Sequence, residues 1–276
     1  MKIKCPLCGY ENYFTGLEDE STIFCCNCNN NKPLVKPKIP EATEKPDNAS
    51  LGIRADDTCY ALGLNFASRG LYQEAIEAYK QAIRINPNHA NAYYNSGLDS
   101  GNLGLYKEAI EAYKQAIRIN PNHADTYNGL GVNSARLGLY QEAVEVYKQA
   151  IRIDPNYASA YYNLGISYAN LGLHKNAVEA YKQAIHINPT HAEAYYNLGV
   201  AYNKLVLHKD AIEAYKQAIR INPDHVNSYN NLGTTYLIIG DKGSALNEYK
   251  ILKNLDINLA NKLFDLINKY KENWNK

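Results

Sequence analysis

A repeat of 34 residues occupies most of this chain and restricts what it can fold into. Prolines recur at that spacing at residues 87, 121, 155, 189 and 223. The segment 74–90 is repeated letter for letter at 108–124. Because each unit of such a repeat buries its apolar surface only against its neighbours, the period predicts a solenoid of stacked units. Solenoids present a long surface to a partner, so binding is the first expectation and catalysis a distant one.

The apolar residues inside each unit have helical spacing. In the fourth unit, Tyr161, Leu164 and Tyr168 share one face of a first helix. Ala177 and Tyr181 share one face of a second helix. The Asn-Pro or Asp-Pro pair that closes a unit ends the second helix, because the residue before proline avoids the α region. Two helices of about 14 residues, joined by a tight turn, are therefore predicted for each unit.

Glycines mark two places in the unit. One ends the first helix, where a left-handed residue is favoured, and Val206 replaces it in the fifth unit, which predicts an altered turn there. The other lies inside the first helix, where close approach of the paired helix explains a residue that costs about 1 kcal/mol relative to alanine. Large residues equivalent to Tyr79 then fill the space between hairpins. The turn glycines are residues 70, 104, 138, 172 and 240, and the internal ones are residues 63, 97, 131, 165, 199 and 233.

These residues resemble the tetratricopeptide repeat (TPR), whose aromatic-x-x-Leu-Gly start is seen at 161–165 and 195–199. The later Ala, aromatic, Ala and Pro positions of that repeat match Ala177, Tyr181, Ala184 and Pro189. The resemblance implies an all-α fold, a right-handed superhelical solenoid of helix-turn-helix hairpins whose concave groove binds peptides or extended segments. Its six repeats are 56–89, 90–123, 124–157, 158–191, 192–225 and 226–259.

Residues 260–276 are predicted to form a capping helix over the last exposed face of the solenoid. The second and third repeats depart most from the pattern, with Ser96, Asp99 and Ser100 in one and Gly129 and Ser134 in the other. Poor helix formers and small side chains predict the most local opening in those first helices. The apolar stripe of the capping helix comprises Leu259, Leu263, Leu266, Ile267 and Tyr270.

The resemblance also implies which side chains face the groove. A row of asparagines can follow a polypeptide backbone because an amide both donates and accepts hydrogen bonds, and tyrosine adds apolar area with a hydroxyl. Few charges accompany them, which favours an extended, weakly charged polypeptide and disfavours the acidic chaperone tails that some family members bind. The alternatives are that the asparagines suit the superhelix itself and that the tyrosines are half-buried between hairpins. The predicted groove residues are Tyr60, Tyr94, Asn95, Arg136, Tyr162, Asn163, Tyr196, Asn197, Lys204 and Asn231.

Histidines also keep the register of the repeat, at residues 89, 123, 191 and 225. A chain of metal sites is one interpretation. Adjacent units stack at about 8–10 Å, whereas zinc needs nitrogens at about 2 Å. Solvent-exposed loop histidines are therefore predicted.

The first 28 residues contain most of the cysteines. Cys5 and Cys8, followed by Cys25 and Cys28, have the spacing of a zinc ribbon, which predicts a structural Zn²⁺ site in residues 1–31. Cys26 is an alternative ligand, and a redox-active or unmetallated cluster is the alternative site. Residues 32–55 are proline-rich and predict an extended linker, and the lone Cys59 is expected to pack as a small apolar residue.

The net charge of +1 gives no basic excess for binding nucleic acid through phosphates. No apolar run suggests a secretory signal or a membrane span, so a cytoplasmic location is expected. Phosphate-binding loops, nucleophile elbows and metalloprotease motifs are absent from the sequence. The sequence thus predicts a non-enzymatic adaptor or scaffold. The alternatives are a self-assembling scaffold of a bacterial complex or organelle, and a nucleic-acid-associated regulator with a zinc ribbon and a repeat arm.

Overall fold

The computed structural model describes residues 54–274 as a continuous segment and, before them, four short strands. Strand β1 (Lys2–Lys4) pairs antiparallel with β2 (Glu11–Tyr13). Strand β3 (Phe24–Cys25) pairs antiparallel with β4 (Asn30–Pro33), with an irregularity in the register. These strands form two separate two-stranded sheets.

The chain forms two compact units, Met1–Asn133 and Ser134–Lys276. Within each unit, consecutive helices pack on each other, and the short turns between them make the paired helices antiparallel. The boundary falls inside the fifth helix. The helices are α1 (Ala55–Ser68), α2 (Tyr72–Ile85), α3 (Ala90–Asn102), α4 (Tyr106–Ile119), α5 (Ala124–Arg136), α6 (Tyr140–Ile153), α7 (Ala158–Asn170), α8 (His174–Ile187), α9 (Ala192–Lys204), α10 (His208–Ile221), α11 (Val226–Ile238), α12 (Lys242–Leu255) and α13 (Ile257–Trp274).

These bounds confirm the helices that the sequence predicts for residues 54–274. In the first five repeats the second helix ends before the Asn-Pro or Asp-Pro pair, as at Asn86, whose backbone is extended. Strand β4 crosses the predicted boundary between residues 31 and 32. Helix α13 begins at Ile257, three residues before the predicted 260, because Asp256 accepts hydrogen bonds from the backbone N–H groups of Asn258 and Leu259.

The turn glycines have the left-handed backbone that ends a helix, with φ of +74° at Gly70 and Gly172. Val206 has φ of +62° and is the one residue other than glycine in the described chain with positive φ. Its turn also keeps the same hydrogen bonds, since Leu207 N–H donates to Tyr202 O at 2.9 Å, as Leu173 does to Tyr168 at 2.9 Å. The prediction of an altered turn is therefore wrong. Valine instead adopts the conformation that glycine has elsewhere.

The internal glycines make room for the tyrosine of the paired helix. A Cβ on Gly165 would lie 2.5 Å from Cε1 of Tyr181, which is 2% exposed. The predicted close approach is thus confirmed, and the approaching group is a ring. The last repeat differs because Leu263 of α13 covers Gly233, with its Cδ2 2.6 Å from where a Cβ would be.

Helix α13 closes the second unit with Ala260, Leu263 and Ile267, all completely buried. Leu266 is 37% exposed, so its predicted place in the buried stripe is wrong. Leu266 directly precedes the buried Ile267, and one residue along a helix is a rotation of about 100°, so the two side chains lie on different faces of α13. The side chain of Tyr270 lies outside the described residues.

Helix α3 buries several polar residues. Asp99 is 3% exposed, and its Oδ2 has no hydrogen-bond partner within the described chain. The equivalent Asn133 is also buried, but its Nδ2 donates to the carbonyl oxygen of Gly129 at 2.8 Å. Burial raises the pKa of Asp99 to about 6. An amide at this place is therefore satisfied, whereas a carboxylate is not.

Cys59 is completely buried against Ala75, Tyr79 and Ala82. It is disulfide-bonded, where the sequence predicted a lone packed residue. Among the helices described, none is long and apolar enough to cross a membrane.

Candidate peptide-binding surface

The predicted tyrosines and asparagines meet across neighbouring repeats. In each pair, a tyrosine on the first helix of one repeat accepts a hydrogen bond from an asparagine 35 residues later, on the first helix of the next repeat. We call these contacts the Tyr–Asn pairs. They are Tyr60–Asn95 at 2.8 Å, Tyr162–Asn197 at 3.0 Å and Tyr196–Asn231 at 3.3 Å between Oη and Nδ2.

The row of pairs is interrupted after Tyr94, because Gly129 stands where the asparagine is expected. A Cβ on Gly129 would lie 2.6 Å from Cζ of Tyr113, so the ring of Tyr113 occupies that space. Tyr94 itself is half-buried, with its ring centroid 5.9 Å from that of Tyr113. Asn163, at the start of the second unit's row, is half-buried as well.

Each tyrosine ring of the row packs on two other rings. For Tyr60 these are Tyr79 on the second helix, at 5.8 Å between centroids, and His89 at the end of the same repeat, at 4.7 Å. The rings of Tyr94, Tyr162 and Tyr196 make the equivalent contacts. The tyrosines are therefore half-buried, as one of the alternatives predicted.

The hydroxyls of the Tyr–Asn pairs stay protonated at neutral pH. Burial raises the pKa of Tyr60, Tyr162 and Tyr196, and the hydrogen bonds from the asparagines only partly oppose this. Each hydroxyl accepts a bond from an asparagine and still has a proton to donate. The Oδ1 atoms of Asn95 and Asn197 accept no hydrogen bond from the described residues, so these two pairs each retain a donor and an acceptor. In the third pair, Oδ1 of Asn231 accepts from Nδ2 of Asn230 at 3.3 Å.

The prediction of solvent-exposed histidines is wrong for His89 and His225, whereas the side chain of His123 is 39% exposed. The side chains of His89 and His225 are 10% and 5% exposed, because each packs on a tyrosine ring and caps the helix that follows it. Nδ1 of His225 accepts from the backbone N–H of Ser228 at 3.2 Å, and its Nε2 lies 3.0 Å from Oε1 of Glu193. Burial lowers the pKa of His191, against the attraction of Glu193.

The two predicted basic residues stand apart from this row of contacts. Arg136 and Lys204 are exposed in the last turns of α5 and α9. They are equivalent residues of two repeats and contribute positive charge at one end of the first helices. The structure thus brings the tyrosines and asparagines together but does not join these two cations to them.

Apolar residues on the same helix face were missed. Leu64 and Leu98 are each 42% exposed and follow Tyr60 and Tyr94 by four residues, which places them on the same side of the helix. The signal was available, because the resemblance assigns that place of the repeat to the groove. They give the candidate surface apolar area that a partner could bury.

The predicted zinc ligands lie outside the described side chains. Cys5, Cys8 and Cys28 are outside the described residues altogether, and only the backbone of Cys25, in β3, is described.

Models of one repeat family match almost the whole helical region. A family described as TPR repeat matches residues 63–98, 102–138 and 134–172. Families described as tetratricopeptide repeat match 158–191 and 192–225, and also 214–247. Among curated proteins, none matches the chain at a significant level.

Solved structures agree with the family models. The crystal structure of MamA is 31% identical, with a TM-score of 0.57, over 58% of this chain and 94% of MamA. YrrB, described as a TPR protein with an unusual peptide-binding site, is 26% identical, with a TM-score of 0.56, over 62% of this chain and 88% of YrrB. PilF of Pseudomonas aeruginosa is 20% identical, with a TM-score of 0.65, over 76% of this chain and 96% of PilF. At that identity, the match supports the fold alone. From the repeat pattern, the helix pairs and these matches together, the chain belongs to the tetratricopeptide repeat family.

Proposed function

We propose that this protein is a non-enzymatic interaction scaffold whose first helices hold an extended polypeptide segment. The observation that carries this proposal is the set of Tyr–Asn pairs. Every matching family model describes a repeat, and none describes a catalytic domain.

The chemistry of a pair suits a peptide backbone. The tyrosine hydroxyl can donate to a carbonyl oxygen of the ligand, and the free Oδ1 of Asn95 or Asn197 can accept from an N–H group. Both groups are neutral, so the contact does not depend on the charge of the ligand side chains. The hydrogen bond from asparagine to tyrosine fixes both side chains before binding, which lowers the entropy lost on association.

The repeat supplies these contacts at intervals along the first helices. The exposed Leu64 and Leu98 would bury apolar side chains of the ligand between the polar contacts. The likeness to YrrB, a TPR protein with a peptide-binding site, supports the same class of ligand.

The test is a selection from a library of displayed peptides, followed by calorimetry with the selected peptides. Asn95→Ala/Asn197→Ala should weaken peptide binding by about tenfold or more, since each lost hydrogen bond is worth roughly 0.5–1.5 kcal/mol. Asn176→Ala/Asn247→Ala is the matched control, because these asparagines are exposed on second helices. Thermal unfolding of both variants separates lost binding from lost stability.

Two results would contradict this proposal. One is equal peptide affinity in both double variants. The other is a selection in which no peptide binds the repeats of the full chain above the background set by an unrelated helical protein.

A second candidate function, self-assembly, is favoured by the outer face of α13. Ile257, Phe264 and Leu266 are 49%, 39% and 37% exposed there, on a helix that otherwise closes the repeats. Phe264→Lys/Leu266→Lys should abolish any concentration-dependent increase in mass measured by light scattering. Asn258→Lys, also exposed on α13, is the control for added charge. A wild-type chain that stays monomeric at all concentrations removes this candidate.

We also infer that the N-terminal cysteines hold a structural zinc ion. The segment between β1 and β2 contains Cys5 and Cys8, and β3 with the segment after it contains Cys25 and Cys28. Two cysteine pairs with this spacing are typical of a zinc ribbon, and four thiolates suit zinc. Metal analysis of the purified full chain should find one zinc that Cys5→Ser/Cys8→Ser removes. Equal zinc content in the two proteins would refute it.

A further inference from the structure

Two successive first helices of the second unit, α7 and α9, present the same two features to the candidate surface. The hydroxyls of Tyr162 and Tyr196 each accept from the asparagine of the next repeat and keep a proton to donate. Four residues after each tyrosine, on the same side of the helix, lies an aliphatic residue, Ile166 or Val200. Both are half-buried, so part of each side chain is accessible. Each repeat therefore offers one hydrogen-bond donor and one apolar contact.

The interval between these features is set by the packing of the helices. Helix α7 contacts α9, and α9 contacts α11. Packed helices lie about 8–10 Å apart, so the donor and the apolar contact recur at that interval. A ligand that uses both repeats must return an apolar side chain and a carbonyl oxygen to the same face at the same interval.

Two common backbone conformations do not meet this requirement. Three residues of an extended strand span about 10 Å, but successive side chains alternate, so residues i and i+3 lie on opposite faces. Seven residues of an α-helix span about 10.5 Å and return to the same face. The carbonyl oxygens of that helix are bonded within it, however, and the tyrosine hydroxyls would find no acceptor on its backbone.

A polyproline II helix does meet the requirement. It rises about 3.1 Å per residue with three residues per turn, so every third side chain returns to the same face after about 9.3 Å. It has no internal hydrogen bonds, and its carbonyl oxygens are free to accept from the tyrosines. The interval of the repeats thus distinguishes this conformation from a strand by its period and from an α-helix by its free backbone groups.

The side chains that would touch such a ligand are uncharged. They are the tyrosines and asparagines of the pairs and the two aliphatic residues. Glu193, whose charge acts on Tyr162, already has its Oε1 3.0 Å from Nε2 of His225. This favours a ligand segment built of apolar and neutral polar residues.

We propose that α7, α9 and α11 bind a segment in the polyproline II conformation that carries an apolar residue at every third position. This inference rests on the proposed function and adds the conformation and the side-chain spacing of the ligand. The apolar residues pack on Ile166 and Val200, and carbonyl oxygens between them accept from Tyr162 and Tyr196. Proline at intervening positions restricts the free segment to this conformation, which lowers the entropy lost on binding.

The experiment titrates two nine-residue peptides into the full chain by calorimetry. Both contain three leucines, three prolines and three serines. In the first peptide leucine stands at every third position, and in the second the leucines stand at alternate positions. The first should bind about tenfold more tightly or better, because in the second each face of the polyproline II helix carries a single leucine to bury.

Ile166→Thr should weaken binding of the first peptide by about three- to tenfold, since it removes apolar area from one of the two contacts. Ile251→Thr is the matched control, because Ile251 is 42% exposed on α12, a second helix. Thermal unfolding of both variants checks that the fold is kept.

The proposal is overturned if the two peptides bind equally, or if the Ile166→Thr and Ile251→Thr variants bind the first peptide with the same affinity. It also fails, while the proposed function stands, if peptides selected from the library need Asn197 but carry their apolar residues at every second or every seventh position. Those patterns would identify a strand or an α-helix as the ligand. If no peptide binds the repeats, both proposals fail.

Discussion

Val206 provides the sharpest test of how the repeat backbone determines stability, because it occupies a left-handed turn position that glycine fills in the other repeats with this turn. The perturbation is Val206→Gly. The valine side chain is 72% exposed, so its removal sacrifices little buried area. The hydrogen bond from Val206 N–H to Asn203 O, at 3.0 Å, is a backbone contact and should persist.

The expected gain follows from two opposing effects. A left-handed conformation costs a residue with a Cβ about 1–2 kcal/mol, and β-branched side chains tolerate it poorly. Glycine loses more backbone entropy than valine on folding, which lowers the stability of the variant by about 0.5–1 kcal/mol. The difference is about 0–1.5 kcal/mol, and the poor fit of a β-branched residue places the expected stabilisation in the upper half of that range, or a rise in Tm of about 2–5 °C for a helical region of this size.

Guanidinium unfolding followed by circular dichroism measures the total effect. Hydrogen exchange at the amide of Leu207, which donates to Tyr202 O, measures the effect at the turn itself. The reciprocal variant Gly172→Val is the control, because φ is +74° at Gly172 and no atom lies within 4 Å of a Cβ built there. It should lose about as much stability as Val206→Gly gains. The double variant should resemble wild type, since the two sites lie in different repeats.

The reasoning is refuted if Val206→Gly is no more stable than wild type while Gly172→Val is destabilised. That outcome would mean that the valine side chain makes a stabilising contact equal to its backbone strain.

Three further predictions concern the buried faces of the repeats. Asp99 takes up its proton near pH 6 when folded and near its ordinary value of 3.8 when unfolded, so it destabilises the fold progressively as pH rises through that interval. Asp99→Asn should therefore gain up to about 3 kcal/mol over wild type at pH 7 and little at pH 4, measured by denaturant unfolding at both. Backbone amides in 92–103 should exchange faster than those in 160–171, and equal rates measured by mass spectrometry would refute the idea that small and polar core residues loosen α3. Gly165→Ala should destabilise the chain by up to about 2 kcal/mol in thermal unfolding, because the collision with the Tyr181 ring outweighs the gain in helix propensity, and a stabilised variant would contradict it.

The helices and their ends could be predicted because they depend on residues close in sequence. The 34-residue period, the X-Pro pairs and the turn glycines act within one unit, and the helix bounds follow them. Local rules were weaker at Val206, where the tendency of valine to avoid positive φ suggested a different turn. The packing of the whole hairpin outweighed that preference of about 1–2 kcal/mol.

The candidate surface was predicted only in part. From the family resemblance, Tyr60, Asn95 and the equivalent residues of later repeats could be predicted as surface residues. The hydrogen bond that joins Tyr60 to Asn95 could not, because it connects residues 35 apart in the sequence. His89 packs on the ring of Tyr60, which lies near the other end of the same repeat. Neither contact joins residues on one helix, so helical spacing does not predict it.

By itself, then, the sequence determined the repeat, its two helices and the residues placed on each helix face, because spacing along a helix fixes which side chains share a face. Only the tertiary structure decided which of those side chains are buried or hydrogen-bonded between repeats and which remain accessible to a ligand. It also decided that Asp57 stops short of His89 where Glu193 reaches His225. The physical reason is that stacking of one hairpin on the next sets these distances, and a difference of one methylene has consequences only once that stacking is fixed.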